Sequence, residues 1–244
     1  MGVPVKNIIT DKIHPSWVEF FSLDIMALLS QIDQAISHPC NPAPENILRF
    51  AQQPLDEVKV LILGQDTYPA PGVATGRAFE VGGLTDWKKP FRQISLKHIV
   101  QCLYGTYIGE SAYIKYSQIP EDFPILPPDR LFESWVNQGV LLLNAALTCQ
   151  HGVPGSHSEL WAPFMERLLP YIDKTRPELT VFLWGSVAQS FSTLFQTARV
   201  YQCRHPMMCS PKYPDDFLKF QGFKDTMDII NWLGTVPLLK GEVS

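Results

Sequence analysis

Hydrophobic and polar positions along this chain follow two periods. Between Ser16 and Ile36, the residues Trp17, Phe20, Phe21, Leu23, Ile25, Leu28, Leu29 and Ile32 recur at helical spacing. That pattern predicts an amphipathic helix with Ser16 as its cap. Pro39, Pro42 and Pro44 then interrupt the chain, and a short helix is expected over Glu45–Gln52. Val58–Leu63 is nearly all apolar, as expected for a strand covered on both faces. Residues 64–78 hold Gly64, Pro69, Pro71, Gly72 and Gly76 and are read as loop. Further helices are predicted over Ser95–Leu103, Asp129–Asn137, Leu160–Tyr171, Ser186–Phe195 and Phe223–Leu233, with Ser186 capping its helix after Gly185. Further strands are predicted over Val140–Leu143, Thr180–Trp184 and Val200–Cys203. Residues 105–128 read as irregular, and the last ten residues as frayed.

Strands alternating with helices imply an α/β fold. The expected architecture is one three-layer α/β/α domain over residues 1–244, with a central four-stranded, mostly parallel, twisted sheet. Three of the apolar runs end in chemically complementary groups. Val58–Leu63 leads to Asp66, Val140–Leu143 to Asn144, and Val200–Cys203 to His205. Open α/β sheets bind ligands beyond the carboxyl ends of their strands. A carboxylate, an amide and an imidazole at one rim therefore mark a candidate catalytic pocket with a recognition group.

Composition narrows the picture. The net charge of −4 argues against non-specific coating of nucleic acid, while leaving room for a local basic groove. Five widely spaced cysteines without a CxxC pair argue against a disulfide framework or a zinc site and favour a reduced, cytoplasmic protein. No apolar run approaches membrane-spanning length, and no signal peptide is evident.

The loop Gly64-Gln65-Asp66-Thr67-Tyr68-Pro69-Ala70-Pro71-Gly72 resembles the water-activating loop of the uracil-DNA glycosylase family. Other segments match in the same order. Gly139-Val140-Leu141-Leu142-Leu143-Asn144-Ala145-Ala146-Leu147-Thr148 is similar to the family's uracil-recognition strand, and Ser156-His157 with Trp161 to the segment after it. Phe182–Gln189 is similar to the next strand and helix start, and His205-Pro206 to the catalytic histidine loop. Ser16-Trp17 and Asn231-Trp232 extend the resemblance over nearly the whole chain.

The resemblance implies a monofunctional DNA glycosylase that flips a pyrimidine out of DNA and leaves an abasic site. Asp66 would position the attacking water and stabilise the cationic sugar, and His205 would hydrogen-bond O2 of the departing base. Asn144 would read the Watson–Crick edge, Phe79 would stack on the base, Tyr68 would exclude thymine, and Gln65 would offer backbone contacts. Ser95, Ser186 and Ser210 would touch phosphates. Hydrolysis of this bond needs no metal, and no cofactor is expected. DNA is the expected partner, single- or double-stranded, met by a monomer.

The sequence departs from the family pattern around the pocket. Thr67 stands where proline follows the aspartate, and Pro69 and Thr75 stand where histidines occur. Val73 replaces a glutamine, and Glu80 a small polar residue after Phe79. Cys209 replaces the leucine that wedges into the base stack, leaving Met207 or Met208 to serve. Uracil is the default substrate, which implies base-excision repair. The changed loop raises the alternative of a modified pyrimidine, such as the hydroxymethyl or glucosylated cytosine of phage DNA, excised in antiphage defence. A non-catalytic DNA- or partner-binding module is the reading from a different class.

Overall fold

The structure, a computed structural model, describes residues 12–109 and 113–234. The expectation of a frayed tail falls outside these residues.

Four parallel strands form the central sheet: β2 (Val60–Asp66), β3 (Val140–Ala146), β5 (Thr180–Trp184) and β6 (Arg199–Cys203), in the order β3-β2-β5-β6. A separate antiparallel ribbon pairs β1 (Cys40–Asn41) with β4 (Cys149–Gln150). The helices are α1 (Leu23–Ala35), α2 (Ile94–Ile108), α3 (Pro128–Asn137), α4 (Ser158–Thr175), α5 (Ser186–Gln189) and α6 (Gly222–Asp225).

Strand side chains alternate between faces, and this alternation builds two cores. Leu61, Leu63, Leu141, Leu143, Val181 and Leu183 join α1 and α4 residues such as Leu29, Ile32, Phe164 and Leu168 on one face. Val60, Ile62, Val140, Leu142, Phe182 and Trp184 join α2 and α3 residues such as Leu96, Ile99, Phe132 and Trp135 on the other. The near-continuous apolar runs follow from burial on both faces. Truncating such a leucine to alanine costs about 2–5 kcal/mol, so both layers are needed to hold the sheet. The result is the expected three-layer α/β/α fold.

Several boundaries differ from the sequence reading. The Ser16–Ile36 segment is a 3-10 turn, Pro15–Trp17, followed by α1 from Leu23. Ser16 does not cap a helix. Its Oγ accepts the Leu55 N–H at 2.8 Å, while Trp17 donates its indole N–H to the Gln53 carbonyl at 2.7 Å. Glu45–Gln52 forms two 3-10 turns, Pro44–Asn46 and Arg49–Gln52, separated at Leu48 by a non-helical backbone. The α2 helix runs on to Ile108, into the stretch read as irregular. Gly185, not Ser186, is the N-cap of the short α5, and Ser192–Leu194 continues as a 3-10 turn.

The closing helix is shorter than its apolar pattern suggests. After α6, the Thr226 hydroxyl donates to the Gly222 carbonyl at 2.7 Å and accepts the Trp232 indole N–H at 3.0 Å. Turns then carry Ile230 and Trp232 into the core, where both are fully buried. Among the described residues, no helix is long and apolar enough to cross a membrane.

Candidate active site

The carboxyl ends of β2 and β3, the loop after β6 and the segment 67–79 enclose a cavity of about 320 Å³. Of the residues singled out from sequence, Gln65, Asp66, Tyr68, Phe79, Ser95, Asn144, His205 and Met207 line it. Thr67, Pro69, Ala74, Gly76, Arg77 and Pro154 complete the wall. Ser186, Met208, Cys209 and Ser210 lie outside it.

Asp66 is the last residue of β2, which runs three residues beyond Leu63, through Gly64 and Gln65, into the segment expected to be loop. Its Oδ2 accepts the Gly155 backbone N–H at 2.5 Å. Burial pushes the carboxyl pKa above its ordinary 3.8, and the Gly155 bond pulls part of the way back. Gly155 was not foreseen as a site residue; only the turn composition of Gly152-Val153-Pro154-Gly155 hinted at a loop there.

The two-residue ribbon buttresses this corner. Asn41 Nδ2 donates to the carbonyls of Tyr68 (3.2 Å) and Pro69 (2.9 Å). The Thr67 hydroxyl donates to Cys149 Sγ at 3.2 Å, and that thiol donates to the Thr67 carbonyl at 3.3 Å. The Gly152 N–H donates to the Pro69 carbonyl at 3.0 Å. The walls on both sides of Asp66 are thereby tied together.

Asn144 sits mid-strand, paired in register with Gly64. A Cβ at position 64 would lie 2.5 Å from Asn144 Oδ1, so the glycine makes room for the amide. Asn144 is only 5% exposed, yet its side chain makes no hydrogen bond with the described residues. The amide is instead open to the cavity, where a ligand offering a matching donor and acceptor can take up both of its hydrogen-bonding atoms. Opposite stands Phe79, whose ring packs 5.1 Å from Trp184 and 6.1 Å from His205. Tyr68 donates its hydroxyl to the Phe79 carbonyl at 3.2 Å, which fixes its ring in the wall.

His205 follows β6 and caps the 3-10 turn Pro206–Met208. Its Nδ1 accepts the Met207 N–H at 3.2 Å. The proton of the neutral ring therefore resides on Nε2, which is left as a donor. Burial pushes the pKa below the usual 6.5, which keeps the ring neutral near pH 7. Gly185 allows the close packing behind it: its φ is +91°, and a Cβ there would lie 2.8 Å from His205 Cβ. His98 of α2 donates from Nδ1 to the Pro206 carbonyl, and Asp216 accepts the Ser210 N–H at 2.7 Å, anchoring both ends of this loop.

The loop tip presents Met207 and Met208, 55% and 59% exposed. Cys209 is turned inward, its thiol donating to the Pro206 carbonyl at 3.2 Å. Its Sγ is thereby held away from the protruding tip.

A carboxylate, a neutral imidazole donor and an amide open to ligand thus face one cavity beside an aromatic ring. Sequence comparison agrees with that chemistry: the family model for the uracil DNA glycosylase superfamily matches residues 50–223. The chain belongs to that superfamily. It is accordingly a DNA glycosylase, a hydrolase of the N-glycosidic bond. A uracil-DNA glycosylase of Xanthomonas oryzae pv. oryzae is 32% identical over 219 residues, covering 88% of this chain and 81% of the relative. One from Xanthomonas campestris pv. campestris is 31% identical over the same shares of each chain. The fold is similar to that of mimivirus uracil-DNA glycosylase (TM-score 0.62, 23% identity, 86% of this chain and 72% of that one). It is also similar to the UNG structure from Nitratifractor salsuginis (TM-score 0.62, 20% identity, 84% and 87%).

Proposed function

We propose that this superfamily member flips uracil out of DNA and hydrolyses its bond to deoxyribose, leaving an abasic site. The observation that carries the choice of base is Tyr68. Its ring is pinned in the pocket wall by the bond to the Phe79 carbonyl, so a bulky substituent at C5 of the base meets a fixed obstacle. The curated relatives named uracil-DNA glycosylase support the same choice.

In this reading Phe79 stacks on the flipped base, which recovers roughly 1–3 kcal/mol against the few kcal/mol that flipping costs. The free amide of Asn144 pairs with the uracil edge, donating from its nitrogen and accepting at its oxygen. As the C1′–N1 bond breaks, its electron pair moves onto the base and the sugar becomes cationic. Asp66 faces that cation and orients the water whose oxygen bonds to C1′. The water's proton passes to the carboxylate. His205 donates its Nε2 proton in a hydrogen bond to O2 of the leaving anion. A single preorganised donor of this type contributes about 2.7–4 kcal/mol.

Met208 protrudes beside the pocket without lining it, and Met207 lines its mouth. Met208 is the residue assigned to the gap that the flipped base leaves, in place of the inward Cys209. Ser95 in the wall and Ser186 at the exposed start of α5 are the proposed phosphate contacts, together with Ser210. The cavity is complete within one chain, which supports a monomer on DNA.

Oligonucleotides carrying uracil, thymine or cytosine, and phage DNA carrying hydroxymethylated or glucosylated cytosine, test the reading. Alkaline cleavage reveals abasic sites, with Asp66→Asn as control. Cleavage at uracil alone is expected. Cleavage of modified phage DNA without uracil activity would replace this reading with antiphage defence, and binding without any cleavage would replace it with a DNA-binding module.

A further inference from the structure

Phe79 adopts φ +65°, the left-handed region that a bulky L-residue avoids. Such strain persists only where the surroundings over-determine it. The ring contacts and the Tyr68 bond hold one side of the residue. The other side is held by Glu80. This carboxylate is almost buried, its side chain 11% exposed, and it lies between two arginines. Glu80 Oε2 accepts from Arg49 Nη1 at 3.0 Å, and Oε1 accepts from Arg77 Nη1 at 3.3 Å. Arg49 also donates to the Thr75 carbonyl at 2.8 Å, and Arg77 to Glu133 Oε2 on α3 at 2.7 Å. An isolated bridge between Ala74 and Val81 closes the same loop.

We propose that Glu80, clamped by Arg49 and Arg77, is a positioning residue that holds Phe79 in its base-stacking pose. The clamp fixes the loop to two rigid supports, the Arg49 turn and α3. A buried carboxylate with two cationic partners is costly to disrupt, since removing one member leaves the others unpaired. The ion-pair cluster therefore resists the backbone relaxation that φ +65° would otherwise favour. The enzymatic part of this inference rests on the uracil reading.

Four full-length proteins test it: wild type, Glu80→Gln, Phe79→Ala and the double variant. Each is assayed below its own melting temperature for uracil excision and for inhibition by free uracil. Glu80→Gln is expected to raise KM and the uracil inhibition constant about five- to tenfold, part of the stacking contribution, with kcat within about twofold. In the Phe79→Ala background the same change should add nothing, because the positioned residue is gone. A purely structural role would lower the active fraction and leave KM and the inhibition constant unmoved.

Hydrogen exchange over residues 74–82, measured without DNA, is the second readout. Faster exchange confined to that segment in Glu80→Gln is expected. Unchanged exchange, or additive effects in the double variant, would overturn the proposal. A wild-type protein inert on uracil whose Glu80→Gln variant still shows the exchange change would sink the uracil reading and leave the clamp standing.

Discussion

Replacing Asp66 by asparagine should move activity and stability in opposite directions. Asparagine keeps the shape and an oxygen that can accept the Gly155 N–H, now 2.5 Å from Oδ2, so the loop stays and only the charge leaves. In the proposed mechanism that charge faces the cationic sugar. Losing one such preorganised interaction costs roughly 2.7–4 kcal/mol, on the order of 10²–10³-fold in kcat. Stability follows from the raised pKa. Between the unfolded value near 3.8 and the higher folded value, the native state binds more protons than the unfolded chain. Stability therefore falls as pH rises through that window, and above it the ionised carboxylate is a standing cost. Asparagine removes the cost, offset in part by exchanging a charge-assisted hydrogen bond for a neutral one. The variant should melt at a higher temperature than wild type near neutral pH, with the gain fading as pH approaches 3.8. Single-turnover excision from a uracil oligonucleotide and thermal melts across that range measure both effects. A variant that keeps more than about a tenth of the wild-type kcat refutes the catalytic role. One that melts lower at neutral pH refutes the electrostatic reasoning.

Other substitutions probe the remaining walls. His205→Ala should lower kcat by on the order of 10²–10³-fold. The wild-type pH profile should stay flat through neutrality and decline only below 6.5, where protonation of His205 breaks the Met207 bond; a limb centred above 6.5 contradicts the lowered pKa. Tyr68→Ala should admit thymine, eroding discrimination by roughly 10–200-fold, and a variant still inert on thymine places the methyl barrier elsewhere. Gly185→Ala puts a Cβ 2.8 Å from His205 Cβ at φ +91° and ψ 164°, so kcat and melting temperature should fall together, with a backbone penalty of about 1–3 kcal/mol; unchanged kinetics would show that His205 does not depend on this packing.

The parts of the fold legible in the sequence are those decided by burial on two faces. Thr180–Trp184 spans the residues its pattern predicted, because every position in it is buried. The polar residues after the apolar runs marked the rim for the same reason: nothing in a core explains Asp66, Asn144 or His205. Local pattern fails where a few tertiary bonds define the structure. The ribbon of Cys40–Asn41 and Cys149–Gln150 is too short to show a period, and it is tied to the pocket by the Asn41 amide and the Cys149 thiol. The turn composition around Gly155 marks a loop but not its role, since any residue but proline supplies a backbone N–H. Arg77 lies in the wall through ion pairs with Glu80 and Glu133, partners 3 and 56 positions along the chain. The closing helix misled because turns around Thr226 satisfy the same apolar positions that a helix would.

The polar departures from the family pattern are each locally accommodated. Thr67, in place of proline, uses its hydroxyl to join the Asp66 corner to Cys149. Glu80, in place of a small residue, has two arginine partners and would be strongly unfavourable in its buried position without them. Cys209, in place of a wedge, satisfies its thiol on the Pro206 carbonyl while the neighbouring methionines take the exposed tip. Random loss of function relaxes such sites one residue at a time and leaves partners stranded. Here each substituted polar group has acquired partners, and the amide left without one, Asn144, faces the cavity where a base would complete it. That asymmetry argues for a pocket rebuilt around retained chemistry.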